Sequence, residues 1–256
     1  LRFLLAHYPS AYAIDRTQGS HPIQQELANL KDAGTLYGAI IYQKAPIVMR
    51  MLERIIGKEE FQKGIQEYLS EYSFSNATWD ELIAILDKLT EEDLSEWSEL
   101  WIKTDGMPRI VPYIREKDNG DIRYFAIMQF DREREVNRPQ DLKVLLETLD
   151  STYMFDVKLR EQRAEISAAK GLSSAVFVMG NAGGYGYGYF PLGPQTTQRW
   201  LTDIEGFDLP LQRGVGWLSL YESMLRRAIS TEDYLRTVVR NLPLEEDPLI
   251  QQYMLS

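Results

Sequence analysis

The most restrictive feature of the sequence is a change in its hydrophobic period near residues 104–109, where helical spacing gives way to alternation. Before this point, apolar residues recur every three or four positions, as at Ile47, Met51 and Ile55. Such spacing places the apolar side chains on one face of a helix. We therefore predict that the chain is helical over about residues 22–104 and changes to another structure afterwards.

Local signals mark where individual helices of this first part begin and end. Thr78 followed by Glu81 is a capping-box pattern, which predicts a helix start because each residue bonds the backbone of the other. Asp105, Gly106 and Pro108 follow the last helical stripe, and glycine and proline at such positions end helices. We expect the first helical part to finish at residue 106.

Residues from about 107 to 192 form short alternating or β-branched runs: RIVPYI, IRYFAIMQF, LKVLLETL, TYMFDVKL and SAVFVMG. Turn residues separate the runs, which is typical of a small antiparallel β-sandwich. After residue 194 helical spacing returns, and paired helices at this interval are typical of the start of an α-solenoid. We therefore predict a multidomain α+β chain with domains at 1–106, 107–194 and 195–256.

Composition excludes several classes of function. The chain has 38 acidic and 28 basic residues and a formal net charge of −10, which argues against nucleic-acid binding, since phosphate contacts need clustered cations. No window approaches the roughly 20 apolar residues of a membrane-spanning helix, so we predict no membrane span. Cysteine is absent, and the cell compartment stays open between cytoplasmic and exported. The two ends of the sequence suggest a fragment of a longer polypeptide.

The segment NAGGYGYGYF, residues 181–190, combines glycine and tyrosine. We call it the aromatic-glycine segment. Its alternation predicts a strand with Tyr185, Tyr187 and Tyr189 on one face and glycines on the other, where another backbone could approach closely. A tyrosine platform that binds a ligand such as a carbohydrate is the alternative. A phosphate-binding loop is excluded because no helix opens at the glycines.

The number of histidines limits the metal and nucleophile sites that this chain can form. A catalytic zinc site takes about three protein ligands, whereas the only histidines are His7 and His21, and no H-E-x-x-H pattern occurs. We predict no metal site in this chain, and a structural role for each histidine. The acidic runs at residues 91–93 and 245–247 fall at predicted helix starts, where acids favour the helix dipole. The run at residues 131–138 is interpreted as a solvated strand end.

Three polar residues, Tyr42, Gln43 and Lys44, interrupt an otherwise apolar run that leads into a helix. A buried tyrosine whose hydroxyl finds a partner is the simple explanation. The alternative is a tyrosine placed to contact a substrate. For Lys44 we expect a structural role in orienting the turn, with exposure to solvent as the alternative.

Four stretches together resemble the M1 family of zinc aminopeptidases: SHPI at 20–23, YQKAPIVMRMLERIIGKEEFQKGIQEYL at 42–69, NATWDEL at 76–82 and LWIKTDGMP at 100–108. The resemblance implies the C-terminal helical part of a thermolysin-like catalytic domain, then the β-sandwich domain, then the start of the C-terminal helical domain. The family usually has glycine after its Tyr-x-Lys, where this chain has Ala45.

The resemblance also implies a function. Tyr42 matches the family tyrosine whose phenol donates a hydrogen bond to the oxyanion formed during peptide hydrolysis, while Lys44 and His21 are candidates for substrate-binding or supporting roles. The zinc of the full-length protein would be bound upstream, and the missing half would be the main packing partner. We expect the fragment alone to be inactive and capable of self-association. A non-catalytic peptide- or protein-binding module is the alternative.

Overall fold

The structure is a computed structural model that describes residues 1–26, 29, 31, 37–131 and 135–256. The chain begins with helices, continues through two antiparallel sheets and returns to helices. This mixture of helices and antiparallel sheets confirms the α+β prediction at that level. The domain boundaries predicted at residues 106 and 194 stay a prediction.

The described residues of the first helical part form five α-helices and one π-helix: α1 Arg2–Asp15, the π-helix Ile40–Lys44, α2 Ala45–Ile56, α3 Lys58–Glu71, α4 Trp79–Asp87 and α5 Leu94–Trp101. Pro46 lies in the first turn of α2, which follows the π-helix without a break. Gly57 ends α2 with a φ of 95°. The predicted capping box is confirmed, because Thr78 and Glu81 bond each other's backbone at the start of α4.

The two sheets have three strands each and are antiparallel. The first has the order β1 (Arg109–Glu116), β2 (Ile122–Phe130) and β5 (Arg163–Glu165), and the second has β4 (Thr152–Leu159), β3 (Gln140–Thr148) and β6 (Ala175–Met179). Five of the strands follow the predicted runs, whereas the short β5 was not predicted. Gly120, with a φ of 88°, allows the tight turn between β1 and β2.

Four helices follow the sheets: α6 Pro194–Asp203, α7 Pro210–Leu225, α8 Thr231–Asn241 and α9 Pro248–Met254. Three of them carry proline in their first turn. Side chains of Ser230 and Asp247 accept backbone hydrogen bonds at the starts of α8 and α9, as polar N-caps do.

Two apolar cores hold these elements together. The larger joins helices from both ends of the chain to the second sheet, with Leu4 in α1, Leu52 in α2, Trp97 in α5, Trp217 in α7 and Phe177 in β6. The smaller lies between the two sheets and contains Ile110, Phe125, Leu142, Val144 and Val157. Because helices before and after the sheets share one core, the first and last helical parts pack against each other through α1.

Several predictions about secondary structure were wrong. Residues 20–26 form no helix, so the helical region does not begin at residue 22; residues 27, 28, 30 and 32–36 of that region lie outside the described residues. Helix α1 was not predicted at all.

No helix in the described ranges is long and apolar enough to cross a membrane.

The aromatic-glycine segment is not a strand. Residues 181–184 form a turn in which the Asn181 side chain accepts from the N–H groups of Tyr185 and Gly186 and donates to the Gly186 carbonyl. Only Tyr189 makes a β-bridge, to Arg109. The turn satisfies its backbone groups through one amide side chain, so strand pairing is not needed there.

The close backbone approach expected at the glycines does occur. A Cβ on Gly188 would lie 2.7 Å from the carbonyl oxygen of Pro108, which is too close for any side chain. The φ of Gly188 is 157°. Glycine is therefore required at this position by its neighbour and not by strand geometry.

Candidate functional site

Tyr42 lies in the middle of the π-helix and is exposed, with 55% of its surface accessible. The ring of Tyr37, itself exposed, lies 5.9 Å from the Tyr42 ring. The buried-tyrosine explanation for this residue is therefore wrong. Because it is exposed, the Tyr42 phenol is accessible for contact with another molecule.

The backbone that carries Tyr42 is held on both sides. Ile40 and Lys44, two residues before and after it, are fully buried. The N–H of Ala45 donates to the Ile40 carbonyl five residues earlier, which is the hydrogen bond of a π-helix. Short π-helical turns are rare and occur frequently at functional sites.

Lys44 points into the protein interior, so the alternative that it faces solvent is wrong. Its Nζ lies 2.8 Å from Oδ2 of Asp15 and donates to the Gly106 carbonyl at 2.9 Å. Burial lowers the pKa of the Lys44 ammonium from its usual value, and the Asp15 carboxylate opposes that change. The ion pair therefore links the π-helix to the last residue of α1.

Asp15 accepts hydrogen bonds from two further residues. Oδ1 accepts from the Ser20 hydroxyl at 2.8 Å, and Oδ2 accepts from the Tyr187 hydroxyl at 2.8 Å. The Gly106 N–H donates to the Ser20 oxygen at 2.9 Å. Asp15, Ser20, Gly106 and Lys44 thus form a closed ring of hydrogen bonds, and with Tyr187 we call it the Asp15 network.

Tyr187 comes from the aromatic-glycine segment and is fully buried. Its ring packs against Tyr8 and Tyr12 of α1 and against Trp101 of α5, with ring centres 5.0 to 6.2 Å apart. Burial, and then the Asp15 charge, raise the pKa of Tyr187 well above its ordinary value. The hydroxyl therefore stays protonated and remains a donor to Asp15.

The other two tyrosines of this segment contact different elements. The guanidinium of Arg54 lies 4.0 Å from the centre of the Tyr185 ring, and that of Arg226 lies 4.2 Å from the Tyr189 ring. The three rings do not share one face, so the alternative of a tyrosine platform is wrong.

Each of the two histidines has a hydrogen-bond partner. Nδ1 of His7 lies 2.6 Å from Oε1 of Gln43, which ties α1 to the π-helix. Nδ1 of His21 lies 2.8 Å from Nε2 of Gln25 and 3.0 Å from the Pro22 carbonyl. His21 is therefore bonded within its own segment, although it follows Ser20 of the Asp15 network.

The donors in the described part of the chain do not fit a catalytic zinc site. Within residues 1–26, 29, 31, 37–131 and 135–256, no three His, Cys, Asp or Glu side chains come together in a way that could hold a metal ion. A catalytic zinc site takes three such ligands.

The acidic runs act in more than helix capping. Asp93 and Asp247 cap helices as expected, but Glu92 binds Arg160 with both oxygens at 2.8 Å, and Glu245 binds Arg213 in the same way. The interpretation of residues 131–138 as solvated was wrong at Arg138, which is fully buried and donates to backbone carbonyls at residues 100–105; residues 132–134 lie outside the described residues.

Comparison with known proteins finds a match between part of this chain and one peptidase family. The model of the peptidase family M1 domain matches residues 1–101, which include Tyr42 and Lys44. This chain is similar to members of the M1 family of peptidases. Aminopeptidase N of Streptomyces lividans is 25% identical over 253 residues, and aminopeptidase M1-C of rice (Oryza sativa subsp. japonica) is 33% identical over 109 residues. Puromycin-sensitive aminopeptidase of Caenorhabditis elegans is 30% identical over 129 residues.

This chain is shorter than those relatives. The Streptomyces alignment covers 93% of the chain and 29% of the relative, the rice alignment 43% and 12%, and the Caenorhabditis alignment 50% and 13%. The chain therefore spans less than a third of each of these relatives. M1 aminopeptidases are zinc enzymes as a family.

Sequence reasoning found Tyr42 and Lys44 but missed the residues that hold them. Asp15 belonged to no motif, Ser20 was noted only as part of SHPI, and Tyr187 was assigned to one face of a strand. One signal was available: a lysine inside an apolar run needs a buried carboxylate partner if it is not exposed.

Proposed function

We propose that this chain is one portion of a longer aminopeptidase that removes N-terminal residues from peptides. The match of residues 1–101 to the M1 family model and the names of the relatives support this reaction class. The observation that carries the proposal is an exposed phenol, Tyr42, on a short π-helix whose neighbours on both sides are buried. An exposed side chain on a fixed backbone is suited to contacting a substrate.

In this proposal Tyr42 donates a hydrogen bond to the oxygen that becomes negatively charged when the peptide carbonyl is attacked. A phenol hydroxyl can donate without losing its proton. Its contribution arises in the transition state, because the charge develops only then. A donor that is already in place needs no rearrangement at that moment, and the buried flanks of the π-helix keep the backbone of Tyr42 in place.

The zinc used by M1 aminopeptidases is, in this proposal, bound by residues other than those described here. The chain alone is therefore inactive, since a single donor supplies only part of the required lowering of the barrier. The exposed rings of Tyr37 and Tyr42 belong to a face that packs against the rest of the catalytic domain. Left uncovered, such apolar surface favours self-association.

The test is the Tyr42→Phe substitution in the complete protein. We expect kcat for aminoacyl fluorogenic amides to fall by about 10² to 10³, as for the loss of one oxyanion donor, with zinc content unchanged. Tyr37→Phe removes a neighbouring exposed hydroxyl and serves as the matched control, with kcat changed less than about threefold. An unchanged kcat for Tyr42→Phe would refute the assigned role.

The proposals that zinc is bound by other residues and that this chain alone is inactive are tested with the same amides and a zinc chelator. We expect chelator-sensitive hydrolysis by the complete protein and none by the 256-residue chain. Sedimentation across a range of concentrations should reveal self-association of the chain. If the complete protein is inactive as well, the non-catalytic binding module becomes the better explanation.

A further inference from the structure

We propose that Asp15 and Tyr187 are positioning residues for Tyr42 and act on it through Lys44. The inference rests on the proposed function, because it assigns to these residues the placement of the oxyanion donor. Tyr187 lies in the aromatic-glycine segment, 145 positions from Tyr42 (187 minus 42), and nothing in its local sequence connects it with a catalytic site.

The first step concerns what fixes Tyr42 itself. Its side chain is exposed, so packing around the ring provides little restraint. Its direction therefore depends on the backbone of the π-helix, where the Tyr42 N–H donates to the Gly38 carbonyl at 3.0 Å. A displacement of about 1 Å at a reacting group can cost about 10² in rate, so the position of this backbone matters for catalysis.

The second step concerns what fixes the backbone. Lys44 ends the π-helix, is fully buried and has two strong partners on different elements: the Asp15 carboxylate at the end of α1 and the Gly106 carbonyl after α5. Two bonds from one ammonium to separate elements restrict both rotation and translation of the helix end. The apolar side chain of Ile40 holds the other end by packing.

The third step concerns what fixes Asp15. Oδ2 serves Lys44 and Tyr187 together, both at 2.8 Å, so the Tyr187 hydroxyl determines where this oxygen lies. The Tyr187 ring also lies 5.4 Å from the Lys44 ammonium. Tyr187 itself is immobilised, because its N–H donates to Gln140 of β3 and the next residue, Gly188, lies against Pro108. The second sheet thereby supports the π-helix.

The experiment removes the Tyr187 hydroxyl and leaves the ring. In the complete protein we expect Tyr187→Phe to lower kcat about tenfold with KM changed less than about twofold, because the donor is displaced and substrate binding is kept. Tyr8→Phe is the matched control. Tyr8 is equally buried and its hydroxyl donates to the carbonyls of Gly184 and Tyr185, so it anchors the same segment without contacting Asp15 or Lys44. Its kcat should stay within about twofold of wild type.

A double-mutant cycle separates positioning from general damage. In a Tyr42→Phe background, Tyr187→Phe should lower kcat less than about twofold, since the group it places is already absent. Equal losses in both backgrounds, an unchanged kcat for Tyr187→Phe, or the same loss for Tyr8→Phe would overturn the inference and leave the proposed function intact. An unchanged kcat for Tyr42→Phe itself would instead remove the proposed function, and the inference with it.

Discussion

Two ion-pair junctions of the molecule differ in burial: one lies within the helices that precede residue 106, and the other joins these helices to the sheet region. At the first, the Asp15 network, the side chains of Asp15 and Lys44 are fully buried. At the second, Arg160 after β4 binds Glu92 before α5 and forms an ion pair with Asp141 of β3, and all three side chains are 15 to 28% exposed.

The difference in burial changes what each junction can do. Water can replace part of a lost bond at the Arg160 junction, so the pair there contributes modestly to stability. In the Asp15 network the side chains of Asp15 and Lys44 have no exposed surface. A buried charge that loses its partner costs far more free energy than an exposed one. Because the loss of any partner is costly, the Asp15 network holds its residues in one arrangement. A catalytic donor such as Tyr42 needs a support with this property.

The largest expected effect follows from breaking the buried junction. Lys44→Met leaves the Asp15 carboxylate buried with two donors and no cation, so we expect the free energy of unfolding to fall by about 3 to 5 kcal/mol. Urea unfolding measures the change. Lys143→Met is the matched control, because its ammonium lies 3.4 Å from the exposed Asp156 and should contribute no more than about 1 kcal/mol. Equal losses for the two variants would remove the distinction between buried and exposed pairs.

A smaller effect is expected from displacing the segment that carries Tyr187. Gly188→Ala forces a methyl group against the Pro108 carbonyl, so we expect a loss of about 1 to 3 kcal/mol. Gly193→Ala serves as the control, since no atom lies within 4 Å of the added carbon and its φ of −68° suits alanine. Its stability should change by less than about 0.5 kcal/mol. A tolerated Gly188→Ala would mean that this segment can move away from β1.

The smallest effect is expected at the half-exposed junction. Glu92→Gln removes one charge from the bidentate pair with Arg160, and we expect a loss of up to about 1 kcal/mol, less at high salt. Unfolding in urea at low and high salt measures both quantities. A loss of stability as large as that for Lys44→Met would show that partial exposure to water does not reduce the cost of breaking an ion pair.

The same junction should respond to pH in a defined direction. Hydrogen bonds from Arg160 hold the pKa of Glu92 below its usual value. The contribution of Glu92 is therefore fully present above its unfolded pKa of about 4.3 and is lost as pH falls through the lower pKa of the folded state. The stability difference between wild type and Glu92→Gln should be constant near neutral pH and shrink in that acidic window. A difference that grows on acidification would contradict the assignment.

Helices with a clear apolar stripe or cap could be predicted from the sequence, and others could not. The α2 stripe and the Thr78 capping box depend on residues three or four positions apart, so a single sequence contains the whole signal. Helix α1 contacts the π-helix, α2, α7 and α9, carries Pro9 and lacks a single apolar face. A helix that is buried on several sides shows no simple period.

Some residues of the candidate site could likewise be predicted from the sequence, and others could not. Tyr42 was identified because it interrupts an apolar run within a motif of local residues. The partners Asp15 and Lys44 are 29 positions apart (44 minus 15), and their pairing follows from how α1 packs on the π-helix. The strand prediction for residues 181–190 was wrong because it used only the alternation of tyrosine and glycine. It did not consider the Asn181 side chain, which organises that turn.

The Asp15 network also affects where the gene can be shortened. Gly106 ends the first predicted domain, yet its carbonyl and N–H both belong to the network, and Tyr187 contributes from far beyond it. An expression product that stops near residue 106 would retain the aspartate, the lysine and the serine but lack the tyrosine donor. Useful truncations of this protein should therefore keep everything through the aromatic-glycine segment, whatever boundary a domain map suggests.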